Sequence, residues 1–337
     1  MTTSSDGTSD SRPTPAAGMH SARPRFAAVD VGTNSIRLLV VEARDGRLEP
    51  LLRLGESCRL GEGLDAQGII SRDAEERASR TLGRFMRRAR SLGPRRISIA
   101  ATHALRSAGN GVEVAERLSR GVGVPVEILS AEDEALFVYE AAREALGPER
   151  LPEPCLVMDI GGGSVELVRG EGGQVKRWLS LEVGCVRLTE RFLPSDPPQA
   201  QELAKLREHV RASLDGHSDL LSQVVGGAGV GGTLTALAAL DLGLERYEAS
   251  RVEGHELTYD AIEAWSDKLT GMSRHEREVM AAVGSGRSDI IVAGCAVVLE
   301  VILRSGLSRL VVSTQGLRYA LARRLAAPLP ASSETGD

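Results

Sequence analysis

Two short stretches of this chain combine the residue types that phosphate chemistry needs. Asp30-Val31-Gly32-Thr33-Asn34-Ser35 and Asp159-Ile160-Gly161-Gly162-Gly163-Ser164 each carry an acid at the end of an apolar run, then glycine, then serine. Glycine lets the backbone turn tightly and brings N–H groups close to an anion. Ser35 and Ser164 add hydroxyl donors. A carboxylate repels phosphate, so the use for Asp159 is to hold a hydrated Mg²⁺ or to orient a water. Glu166, from the strand that follows, reaches the same cation. Two such loops facing each other across a cleft would grip one ligand from both sides.

A third acid and several arginines join them. Ser130-Ala131-Glu132-Asp133-Glu134 opens a helix, with Ser130 as N-cap, Asp133 near the capping-box position and the acids favoured by the helix dipole. Glu132 reads as solvated surface. Glu134 starts the helix beside the expected cleft, where a carboxylate takes a proton from a water attacking phosphorus. Arg106 follows the strand-end run Ala101-Thr102-His103-Ala104-Leu105 and is placed to enter the cleft. Arg37 follows the first loop, and Arg287 precedes the long apolar stretch Ile290 to Leu303. Arginine is the better fork for phosphate oxygens. Because 38 of the 41 basic residues are Arg, most of them are composition, and Arg87, Arg88 and Arg90 read as a solvated helix face. His103 reads as a buried histidine. Gly226 to Thr233 sits between an expected strand at 222–227 and an Ala/Leu-rich helix, whose N-terminus suits another anion. It has neither the Walker spacing nor the distal acid of a dinucleotide loop.

The elements that position these residues come in two related sets. Ala28 to Leu38 aligns with Val157 to Leu167 at an offset of 129, and Leu54 and Cys58 meet Leu181 and Cys185 at an offset of 127. Duplicated domains, each opening with strand, Asp-x-Gly turn and strand, follow from this repetition. The first half continues with a helix over 71–91, a buried strand over 96–101, a helix over 111–120, a strand over 124–129 and a helix over 131–146. The second continues with hairpin strands to about 180, then helices over 185–193, 199–215, 232–241, 258–270 and 288–304. A strand over 309–313 and a last helix from Gln315 close it. Alternation of this kind means α/β sheets covered by helices.

Composition closes several doors. A net charge of −5 argues against a dedicated nucleic-acid or membrane-surface binder. With 42% hydrophobic and 26% charged residues, wholesale disorder is excluded. Cys58, Cys155, Cys185 and Cys295 are scattered, as expected of reduced thiols in a cytoplasmic protein. Residues 1–24 lack an apolar core and read as a tail, not a signal peptide. Ile290 to Leu303 is too short for a membrane span and reads as a buried helix.

In order, the segments AAVDVGTNSIRLLV, ATHALR, ILSAEDEA, VMDIGGGSVELV, VGCVRLTERF, GVGGTLTALA, GRSDIIVAG and LVVSTQGLR resemble the exopolyphosphatase/guanosine pentaphosphate phosphohydrolase family. The resemblance runs from about Phe26 to Ala326. It implies two actin-like (ribonuclease H-like) domains of the sugar kinase/Hsp70/actin superfamily with an interdomain cleft. Domain I would cover 25–135 plus the helix 315–327, and domain II 136–314, with a second tail at 328–337. By the same resemblance, Glu134 matches the catalytic base, Arg106 a phosphate-contacting arginine, and Asp159 and Glu166 the Mg²⁺-associated acids. The amides of Gly32, Thr33, Asn34 and Ser35, and of Gly161, Gly162, Gly163 and Ser164, match the phosphate grips. Arg37 and Arg287 fall where some members contact substrate phosphates.

Three positions depart from the family pattern: Val165 in place of Thr, Asp133 in place of Glu, and Thr314 in place of a frequent acid. The chain also ends where longer members continue into a helical region, so a channel for long chains would be absent or formed by a homodimer. The implied activity is Mg²⁺-dependent removal of terminal phosphate from polyphosphate or of the 5′-γ-phosphate from guanosine pentaphosphate. Two other readings stay open: an ATP-dependent small-molecule kinase, with Gly226 to Gly232 as its adenine pocket, and a non-catalytic sensor of an alarmone or polyphosphate.

Overall fold

The computed structural model describes residues 23–327. The expected tails at 1–24 and 328–337 lie outside the described residues, save 23 and 24. The first half opens with three antiparallel strands, β1 (Arg25–Val31), β2 (Ser35–Arg44) and β3 (Arg47–Ser57). Helices α1 (Leu64–Gln67) and α2 (Arg72–Ser91) lead to β4 (Arg96–Ala101), parallel to β1. Then come α3 (His103–Ser107), α4 (Gly111–Val122), β5 (Val126–Ile128) and the long α5 (Ala131–Arg150).

The second half repeats the plan. β6 (Cys155–Ile160), β7 (Val165–Glu171) and β8 (Gln174–Leu181) are antiparallel. They are followed by α6 (Cys185–Phe192), α7 (Ala200–Leu214), α8 (Ser218–Leu221) and β9 (Gly226–Gly231), which runs parallel to β6. Helices α9 (Gly232–Asp241) and α10 (Ala249–Val252) precede β10 (Glu256–Thr258). After it come α11 (Tyr259–Thr270), α12 (Arg274–Glu278), α13 (Ile291–Ser305), β11 (Arg309–Val312) and α14 (Leu317–Ala326). The sheet orders are β3-β2-β1-β4-β5 and β10-β11-β9-β6-β7-β8, so the expected duplication is a duplication of topology.

Strand periodicity builds two cores on the first sheet. Ala27, Val29 and Val31 of β1 join the core under α2 and α4, whereas Phe26 and Ala28 join the one under α5 and α14. Helix α2 starts where Ser71 Oγ accepts the Ala74 N–H at 3.3 Å and buries Ala74, Ala78, Leu82, Phe85 and Met86 at helical spacing. Helix α5 serves both halves. Phe137 and Ala141 pack with Leu317 and Leu321 of α14, while Ala135, Val138 and Ala142 pack against Cys155, Val157 and Val168 of the second sheet. The expected domain boundary at 135/136 therefore falls inside one continuous helix.

Several boundaries differ from expectation. The strand expected at 222–227 is β9, Gly226–Gly231: the glycine run is itself the strand, fully buried. A Cβ on Gly227 would lie 2.7 Å from Leu310 Cδ2, and one on Gly229 would lie 2.5 Å from Leu234 Cδ1. The glycines are there to admit their neighbours, not to loop around an anion. Helix α13 begins at Ile291 instead of 288, because residues before it turn back across the cleft. All four cysteines are free and buried. Among the described residues no helix is long and apolar enough to cross a membrane.

Candidate active site

Each Asp-x-Gly turn is closed by one hydrogen bond: Gly32 N–H donates to Ser35 O, and Gly161 N–H to Ser164 O, both at 3.0 Å. The carbonyls of each loop are tied down from behind. Thr33 O accepts the Gly61 N–H and Asn34 O the Arg59 N–H, both at 2.9 Å. In the second half, Gly161 O accepts the Cys185 N–H at 3.0 Å and Gly162 O the Val186 N–H at 2.9 Å. With the carbonyls turned away, the amides of Thr33, Asn34, Gly162 and Gly163 make no backbone hydrogen bond among the described residues. Free amides in a glycine turn are an anion cradle. The two loops also touch, since a Cβ on Gly162 would lie 3.1 Å from Thr33 Cβ and 3.2 Å from Asn34 N. Gly163 has no room for one at all, because the His103 ring occupies that space.

The acids stand around these loops. Asp159 ends β6 and pairs across the ladder with Glu166 of β7, which puts both side chains on one face. Glu166 is 1% exposed and accepts a hydrogen bond from Ser180 Oγ at 2.8 Å. Burial, then the charge of Glu166, pushes Asp159 up to about 7, and burial raises Glu166 as well. Glu134 sits in the first turn of α5. Ser130 Oγ caps that helix by accepting the Asp133 N–H at 3.0 Å, and Glu132 is exposed as expected. Burial first and Glu166 second hold Glu134 well above the ordinary carboxylate range, and Arg106 pulls it back only in part.

Arg106 is committed to that carboxylate. Its Nη1 donates to Glu134 Oε2 at 2.8 Å and to Leu129 O at 3.0 Å. It holds the acid in place and does not line the cleft, whereas Arg37, Arg287, Glu134, Asp159 and both loops do. The cleft is narrow, with room for about 80 Å³. His103 borders it, neutral, its pKa lowered to about 4 by burial and then by Arg106. Glycine again makes room: a Cβ on Gly231 would lie 2.7 Å from Asp159 Oδ1, and one on Gly232 would lie 2.6 Å from Arg287 Nε.

A model of the Ppx/GppA phosphatase family matches residues 39–324. The chain belongs to the Ppx/GppA family. Exopolyphosphatase 2 of Mycobacterium tuberculosis is 34% identical over 325 residues, covering 90% of this chain and 99% of that one. The solved Ppx/GppA enzyme of Aquifex aeolicus is 33% identical, with a TM-score of 0.73 and coverage of 88% and 98%. An exopolyphosphatase structure from Cytophaga hutchinsonii, at 24% identity and TM-score 0.83, matches in fold. The two-sheet α/β fold of this Ppx/GppA chain is thus that of its relatives.

Two departures from the family pattern have a structural account. Val165 is fully buried in the second core and does not line the cleft, so its missing hydroxyl is not missing there. Thr314 gives its N–H and Oγ1 to Glu253 Oε2 at 2.8 and 2.5 Å, so an acid from another segment stands beside it. Sequence reasoning missed Arg318, the last residue of LVVSTQGLR, which α14 carries into a neighbouring chamber with Arg37 and Arg287.

Proposed function

We propose that this Ppx/GppA protein is a phosphoanhydride hydrolase that releases the terminal phosphate of inorganic polyphosphate, the 5′-γ-phosphate of guanosine pentaphosphate, or both. The observation that carries this reading is Glu134: a buried carboxylate of raised pKa, fixed by Arg106, in one cleft with two sets of free loop amides. Glu134 takes a proton from a water as the water oxygen attacks the terminal phosphorus. The bridging P–O bond breaks, the shortened chain leaves with the electron pair, and orthophosphate remains in the cradle. Loop amides meet charge on the phosphoryl oxygens, and positioning with electrostatics supplies most of the rate in such reactions.

The donor set fits Mg²⁺. Asp159 and Glu166 are in-register carboxylates, and burial raises both while Glu166 raises Asp159 further, a cost that a cation relieves. Among the described residues no three His, Cys, Asp or Glu side chains converge into a closed cage. Asp159 lines the cleft while Glu166 is buried behind it, so Mg²⁺, which keeps waters and takes substrate phosphates as ligands, would be held chiefly by Asp159. When bound it would neutralise charge on the transferred phosphoryl.

Most of the kinase reading's adenine pocket is a buried strand, and only Gly231 and Gly232 at its end line the cleft, which favours the hydrolase. Phosphate release measured on tripolyphosphate, long polyphosphate and guanosine pentaphosphate, with and without Mg²⁺, tests the proposal. Mg²⁺-dependent release from at least one of them is expected. Tight binding of all with no release would leave a sensor, and ADP formation with a cosubstrate would restore the kinase.

A further inference from the structure

A second, larger chamber continues the catalytic cleft and shares Asp30, Arg37, Asp159 and Arg287 with it. Its composition is different. Glu134 lines only the loop side, whereas Arg53 and Arg318 line only the second chamber. Many arginines elsewhere in the protein are paired with carboxylates, as Arg59 with Asp289 and Arg117 with Glu75. Arg37, Arg287 and Arg318 make no side-chain hydrogen bond or ion pair among the described residues. Arg318 is nonetheless fixed: its guanidinium lies 5.8 Å from the centre of the Tyr319 ring, whose Oη accepts from Arg53 Nε at 2.8 Å.

Crowding of this kind is costly without an anion. Burial, then Arg37, lowers both Arg318 and Arg287 to about 10. Asp30 is the acid that feels both Arg37 and Arg318, and burial raises its own pKa. The chamber's acids do not balance the three guanidinium groups: Asp30 and Asp159 are two, and Glu56 is paired with Arg84.

The geometry points to Arg318 as a substrate-binding residue. Together with Arg37 and Arg287 it forms a three-arginine clamp where the two chambers meet, holding the phosphates behind the one being removed. The clamp rests on the hydrolase reading and adds a direction to it. The terminal phosphate lies among the loop amides and acids, and the leaving chain runs into the second chamber. The chemistry recognised is a run of anhydride-linked phosphates, and planar guanidinium forks match phosphate oxygens two at a time.

The test compares Arg318→Gln and Arg318→Lys with wild type in three measurements. These are tripolyphosphate binding by calorimetry in chelator, where turnover is absent, steady-state KM and kcat, and melting temperature. Loss of a charge-assisted contact predicts tripolyphosphate binding and KM weakened about 10- to 100-fold in Arg318→Gln. We expect kcat within about threefold and orthophosphate binding unchanged, because orthophosphate uses the loop cradle. Lys keeps the charge and loses the fork, so an intermediate loss is expected, and it decides the matter should Gln impair folding. Tripolyphosphate and guanosine pentaphosphate run as separate arms: equal loss in both assigns the clamp to the phosphate chain common to them. Unchanged binding and KM, or a fall in kcat and melting temperature with KM preserved, overturns the proposal. Wild-type binding without phosphate release from any substrate would sink the hydrolase reading, while the binding comparison still decides Arg318.

Discussion

Replacing Asp159 with Asn should abolish metal-dependent activity while stabilising the metal-free protein, and the size follows from burial. Burial and then Glu166 lift Asp159 from 3.8 to about 7. At about 1.4 kcal/mol per pH unit, that difference sets a ceiling of about 4 kcal/mol. Local relaxation raises the effective dielectric, so about 2 kcal/mol is the working expectation. The folded carboxyl binds its proton more tightly than the unfolded one. Its penalty is therefore absent at low pH, grows as pH rises from the ordinary carboxylate value to the folded one, and is complete by about pH 8. Asn carries no such penalty. In chelator near pH 8 the variant should melt a few degrees above wild type, at about 2–4 °C per kcal/mol for chains of this order. The gap should close as pH falls. Mg²⁺ at about 100 times its Kd should return about 2.7 kcal/mol to wild type and far less to the variant. Scanning calorimetry at both pH extremes, with chelator and with Mg²⁺, measures all of this. A variant that melts below wild type near pH 8 in chelator, or that gains as much from Mg²⁺, refutes the reasoning.

Three further substitutions probe the same cleft. Glu134→Gln should keep the fold by circular dichroism and cut kcat by about 10²- to 10⁴-fold, and full activity would show that another group takes the proton. Arg106→Gln removes the cation that lowers Glu134, so the acid limb of the kcat–pH profile should move to higher pH; an unmoved limb would mean that Glu134 does not set it. Gly231→Ala puts a Cβ 2.7 Å from Asp159 Oδ1 at a residue with φ 98°, and should destabilise by about 1–3 kcal/mol in a denaturant titration.

Much of this architecture was legible because local signals agreed with tertiary ones. Arg96–Ala101 is a strand with the expected bounds, and Ser71 caps α2 as its residue type predicts. The glycine run at 226–231 misled for a physical reason. Glycine has poor intrinsic strand propensity, and what makes a strand of it is the approach of Leu310 and Pro152 from distant segments and of Leu234 from the next helix. The resemblance implied a domain boundary at 135/136, but α5 has apolar residues around most of its circumference and so joins both cores. The placing of both loops, Glu134 and Asp159 around one cleft was readable, since each lies within a few residues of a turn. Arg318 was not, because nothing local distinguishes an arginine facing a chamber from one facing solvent in so arginine-rich a chain.

The repeat also explains why the cleft has a direction. Ladder pairing sets Asp30 opposite Arg37 in the first hairpin and Asp159 opposite Glu166 in the second. Arg37 and Glu166 occupy the same position of the duplicated unit, so one residue type inverts the charge of an otherwise shared frame. On the second hairpin two acids stand together, Glu166 raising Asp159, and call for a cation. On the first, an arginine offsets its acid and, with Arg287 and Arg318, calls for phosphate. Two loops of the same geometry, touching at Gly162 and Thr33, thus present a substrate with unlike walls. A phosphoanhydride needs both, since charge must be met on the phosphoryl being transferred and on the chain that leaves. A symmetric pair of hairpins, with Arg at both positions or Glu at both, would bind one of these and repel the other.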